Sequence, residues 1–97
     1  MNNLYRVMEK VYILVQESNV DGENLVNVTP CATMEIAQAR MQKEYQTLLN
    51  ESHFAGMTEE NDDDYTLEIT DTSIYLSDNC DDYSEHLHIE EKEICKV

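Results

Sequence analysis

The chain has 97 residues, 41% of them hydrophobic and 28% charged, with 2 Gly and 1 Pro. That length sets a single domain over residues 1–97 as the expectation, and the apolar content argues against a disordered chain. Twenty-one Asp and Glu against 6 Lys and Arg leave a net charge of −15, which disfavours direct contact with nucleic acid or anionic lipid, since both need a basic footprint.

No apolar run reaches the roughly 18 residues of a membrane span, and Glu9 interrupts the first apolar stretch where a signal peptide would stay apolar. A cytoplasmic setting is expected. Cys31, Cys80 and Cys95 are odd in number and lack Cys-x-x-Cys spacing, so neither a disulfide framework nor a zinc knuckle is read. Area scaling gives a compact chain of this size a folded surface of roughly 5,700 Å². Size scaling gives it a radius of gyration of about 12.5 Å and a diameter of roughly 32 Å.

The residues before Met8 show neither strand nor helix period, which leaves Met8 as a second candidate start. Over residues 10–17, Val11, Ile13 and Val15 alternate with Tyr12 and Leu14, a strand that is apolar on both faces. The Asp21-Gly22 dipeptide marks a turn, and residues 25–29 bring Val26 and Val28 to one face, completing a hairpin. Thr33 is placed as the N-cap of a helix running to about residue 50, with Glu35 in its first turn. Met34, Ala37, Met41, Tyr45 and Leu48 recur at three- and four-residue steps and give that helix one apolar stripe.

Residues 50–64 read as an acidic loop ending in Asp62, Asp63 and Asp64. Tyr65, Leu67 and Ile69 then alternate with polar residues, Asp71-Thr72 supplies a turn, and Ile74-Tyr75-Leu76 resumes extended structure as a second hairpin. Residues 78–83 read as a loop, followed by a last strand over 85–94 with Leu87 and Ile89 on one face and His86, His88 and Glu90 on the other. The expected fold is α+β, in the order ββαβββ. An antiparallel sheet of two hairpin units plus a C-terminal strand packs on one amphipathic helix.

The charge is uneven. Residues 1–50 hold 6 acids and 4 bases, net −2, whereas residues 51–97 hold 15 acids and 2 bases, net −13. A 32 Å length of duplex DNA carries on the order of 19 charges, so 13 on one surface would approach two-thirds of the duplex density. The candidate partner-binding carboxylates are Asp62, Asp63, Asp64, Asp81, Asp82, Glu85, Glu90, Glu91 and Glu93, with Tyr75 and Tyr83 as aromatic anchors beside them. The competing explanation is that this acidity is a solvated face serving solubility.

With its KVYILVQE strand at 10–17, its short helix, and the strand pieces YTLEITDTSIYL at 65–76 and EHLHIEEKEI at 85–94, the chain resembles small acidic proteins of bacterial phages and conjugative elements. Some proteins of that style are anti-CRISPR and anti-restriction proteins. The resemblance lies in layout over most of the chain, without a diagnostic motif. It implies a non-enzymatic inhibitor, acting as a DNA mimic in the cytoplasm of a bacterial host. The implied partner is a basic nucleic-acid-binding protein such as a CRISPR effector or restriction nuclease.

Other chemistry finds less support. Gly22 and Gly56 alone cannot build a phosphate-binding glycine loop, a dinucleotide fingerprint or a nucleophile elbow, and no spacing ties Ser, His and Asp into a triad. No enzyme, cofactor or metal is expected. His86 and His88 share a strand face, with Cys80 or Cys95 as the residues that would have to complete a metal site, but the spacing alone favours surface histidines. The alternative function is a small protein- or metal-binding regulatory module whose acidity serves solubility.

Overall fold

A computed structural model describes residues 8–51, 54, 65–78 and 83–95 of the chain. The elements in order are β1 (Met8–Val20), β2 (Glu23–Cys31), α1 (Met34–Glu51), β3 (Tyr65–Ile69), β4 (Ser73–Asp78) and β5 (Tyr83–Cys95). One helix packs on a five-stranded antiparallel sheet, so the expected α+β class holds. The expected acidic loop falls almost wholly outside the described residues.

The Asp21-Gly22 turn has both central residues at positive φ, 52° and 85°. Such a turn matches the twist of its flanking strands, and the Asp-Gly pair tolerates it. At the helix start, the Ile36 amide donates to Thr33 Oγ1 at 3.1 Å and the Ala37 amide to the Thr33 carbonyl at 3.1 Å. Thr33 is therefore the N-cap, satisfying amides that the first turn leaves without partners. Ala37, Met41, Tyr45 and Leu48 of the apolar stripe are buried, with Met34 half-buried at its N-terminal end. Full burial of a side chain such as Met41 stabilises by about 1.5–3 kcal/mol.

The helix lies against β1, β2 and β5 on one side of the sheet. Leu14, Ile74, Leu76 and Leu87 point to that side and join Met41, Tyr45, Leu48, Phe54 and Leu67 in one core. Cys31 is buried as a free thiol at the end of β2, a small apolar side chain in its packing role.

The C-terminal strand does not sit at an edge. The strand order is β2-β1-β5-β4-β3, so β5 lies in the centre and pairs with β1 over 13 positions, from Met8 opposite Cys95 to Val20 opposite Tyr83. Beyond the reach of β2 and β4, residues 8–11 and 92–95 continue as a two-stranded ribbon. This ribbon corrects the compact shape expected from length. The radius of gyration is 16.5 Å, the extents are 60 × 25 × 20 Å, and the surface area is 6427 Å². Long paired strands spread the chain along one direction and expose more area than a sphere of equal mass.

Candidate functional site

Strand alternation sorts the side chains into a helix-covered face and an open face. Residues of β5 with even numbers (Ser84, His86, His88, Glu90, Lys92) share the open face with Val11, Ile13, Val15 and Glu17 of β1 and with Tyr75 of β4. Odd-numbered residues of β5 turn to the helix side. The nominated carboxylates of β5 are thereby divided between two faces.

Glu85 lies on the covered face and is only 8% exposed. Its Oε1 accepts hydrogen bonds from Gln16 Nε2 at 3.1 Å and Ser18 Oγ at 2.7 Å. It fastens β5 to β1 and offers little charge to a partner. Glu91 and Glu93 sit at the ribbon end, where Glu91 pairs with Lys10 at 3.2 Å. That carboxylate holds the Lys10 ammonium above its ordinary pKa by hydrogen bond and charge. Glu90 accepts from His88 and lies 3.5 Å from Lys92. The His88 hydrogen bond, followed by the Lys92 charge, holds the Glu90 carboxyl below its ordinary range.

The other end of the sheet is different. One row across all five strands runs Tyr65, Asp78, Tyr83, Val20, Glu23. The chain enters β3 immediately after Asp62, Asp63 and Asp64, and enters β5 immediately after Asp81 and Asp82. Those five aspartates lie outside the described residues; the strand starts that follow them, Tyr65 and Tyr83, stand on either side of Asp78 in this row. The exposed Asp21 and Glu23 of the first hairpin belong to the same end. Tyr75 from the open face and Tyr83, which packs against the core on the helix side, both line an open cleft of about 410 Å³ there with Asn19, Gly22, Ser77, Asp78 and Ser84. Among the described residues, Tyr75 and Tyr83 thus lie toward one end of the sheet and Glu91 and Glu93 toward the other, with Glu85 turned inward between them.

Sequence reading missed Glu17 as a neighbour of the histidines. Glu17 stands opposite His86 across the β1–β5 pairing, and one ligand atom from each of Glu17, His86 and His88 lies within 4.8 Å of the others. His88 Nε2 is 2.9 Å from Glu90 Oε2, while His88 Nδ1 is 3.7 Å from Glu17 Oε1 and is buried without a hydrogen-bond partner. The two imidazole centroids are 4.8 Å apart, and Tyr75 stands edge-on to His86 at 6.0 Å. Cys95 cannot complete this cluster: it lies seven positions along β5 from His88, about 23 Å in an extended strand. Cys80 lies outside the described residues.

Compared with protein-family models, curated proteins and solved structures, the chain matches none. Among the described residues no helix is long and apolar enough to cross a membrane.

Proposed function

We propose that this protein is a non-enzymatic acidic inhibitor that docks on the nucleic-acid-binding surface of a basic protein, of the CRISPR-effector or restriction-nuclease kind, in a bacterial cytoplasm. The observation that carries the reading is the row at one end of the sheet. There Tyr65 and Tyr83, which follow Asp62 to Asp64 and Asp81 and Asp82 in the chain, share one row with Glu23, beside the exposed Asp21 and a cleft that Tyr75 and Tyr83 line. Concentrated charge steers encounter with a basic surface, and the two tyrosines supply rigid apolar contact beside it.

The elongated shape narrows the mimicry. A duplex 60 Å long carries roughly 35 charges, so the net −15 of the whole chain supplies less than half of that density over the same length. The proposal is a local acidic end, not a replica of the duplex along the molecule.

The test is displacement of labelled DNA or guide RNA from a panel of CRISPR effectors and restriction nucleases. Displacement should weaken steeply between low salt and physiological ionic strength, where screening acts over about 8 Å. Changing Asp81 and Asp82 together to Asn should weaken it, while the matched pair Glu91→Gln and Glu93→Gln at the ribbon end should not. Equal effects of the two pairs would reduce the interaction to net charge, and failure to displace from any member would remove the inhibitor reading.

A second reading is favoured by β2. It is a sheet edge, and its Leu25, Val26 and Val28 are about 60% exposed. Edge strands of that kind pair with strands of other proteins, which fits a protein-binding regulatory module with acidity for solubility. Loss of binding in Val26→Lys or Val28→Lys, with no effect of the Asp81 and Asp82 pair, would select it.

A further inference from the structure

Imidazole nitrogens behave as a linked pair. When one carries a proton donated to a carboxylate, the other is left as a lone pair, the arrangement that orients histidine toward a metal ion. His88 has this arrangement: Nε2 faces Glu90 Oε2 at 2.9 Å, and Nδ1 is buried with no hydrogen-bond partner. A buried acceptor left unmatched is unfavourable, so this lone pair needs an electrophile that the protein's own hydrogen-bond donors do not provide.

The surroundings supply the rest of a coordination set. His86 follows on the same face two positions earlier, with its ring steadied by the edge of Tyr75. Glu17 reaches over from β1, its side chain half exposed and its Oε1 already 3.7 Å from His88 Nδ1. The backbone beneath is unbroken antiparallel ladder, with Glu17 opposite His86 and Val15 opposite His88.

We propose that Glu17, His86 and His88 form a binding site for a first-row divalent cation of the Zn²⁺ type on the open face of the sheet. Two imidazoles and one carboxylate match the donor preference of such ions, whereas Ca²⁺ and Mg²⁺ prefer oxygen alone. Water takes the fourth position, as in sites that keep three protein ligands. Bonds of about 2.0–2.2 Å place tetrahedral ligand atoms roughly 3.4 Å apart, so the cluster, now within 4.8 Å, contracts on binding. The exposed Glu17 carboxylate is the member free to move. Glu90 is a positioning residue that fixes the His88 tautomer without touching the ion. The site is independent of the partner-binding proposal and uses neither the aspartate loops nor the β2 edge.

The experiment is calorimetric titration of the full chain with ZnCl₂ in excess Ca²⁺, which occupies scattered carboxylates without competing for nitrogen. One saturable equivalent per chain is expected. Glu17→Gln and Glu90→Ala should each weaken it roughly 10- to 100-fold, and His86→Ala and His88→Ala should weaken it by at least as much. His53→Ala, which removes none of the three proposed ligands, should leave it unchanged. Circular dichroism of each variant separates loss of ligand from loss of fold. The unaltered chain gives an independent readout: Zn²⁺ should shift the ring ¹⁵N resonances of His86 and His88 and leave those of His53 in place. No saturable binding up to millimolar Zn²⁺, binding kept within threefold in both histidine variants, or shifts confined to His53 would each overturn the site.

Discussion

The two faces of this sheet are made by the same five strands, yet they do opposite things. Toward the helix, Leu14, Ile74, Leu76 and Leu87 are at most 2% exposed. On the open side Val26 and Val28 are about 60% exposed, and around them stand Glu17, Tyr75, His86, His88 and Glu90. The fold is held on one side only. Side chains on the other side are released from core packing.

The largest effects should therefore come from the covered face. Leu87→Ala, at the centre of β5, should destabilise by about 2–5 kcal/mol, the range for buried Leu truncations, read as a lower urea midpoint at unchanged slope. A loss below about 1 kcal/mol would mean that the open face shares the core. Next is Glu85→Ala, which leaves the Gln16 amide and Ser18 hydroxyl without their acceptor on that face. It should cost about 1–3 kcal/mol, and Glu85→Gln, which keeps an oxygen acceptor, should cost less. Equal stability of all three chains would return Glu85 to the list of free surface charges.

Smaller effects should follow at the element ends. Thr33→Ala should cost about 1 kcal/mol through loss of the helix cap. Gly22→Ala should cost about 1–2 kcal/mol from backbone alone, because a Cβ at that position meets nothing within 4 Å. Both are measured by the same denaturation midpoint. The smallest is Val28→Thr on the open face, expected within about 0.5 kcal/mol of the parent. A larger loss would show that β2 is covered in solution, and would sharpen the case for a strand partner at that edge.

The partition also explains what reading along the chain missed. Alternation placed His86, His88 and Glu90 together, because residues two apart on one strand must share a face. It gave no sign of Glu17, which reaches them only because β5 inserts beside β1. Similarly, Glu85 looks like its acidic neighbours in the sequence, but its parity with Leu87 sends it inward to Gln16 and Ser18. Tyr75 and Tyr83 stand out in the sequence for the acids near them; that they line one cleft depends on the pairing of β4 with β5.

The elements are legible along the chain: the Asp21-Gly22 turn, the Thr33 cap, the Ala37-Met41-Tyr45-Leu48 stripe and the alternation of the last strand are local signals, each carried by residues a few positions apart. Only the packing of distant segments settles that β5 is central, that β1 and β5 run together for 13 residues and lengthen the molecule to 60 Å, and that Glu91 and Glu93 lie toward the end opposite Asp21 and Glu23. The physical reason is that a period of two fixes which side chains share a face. Which strand lies beside another is settled by burial and hydrogen bonding between segments far apart in the chain.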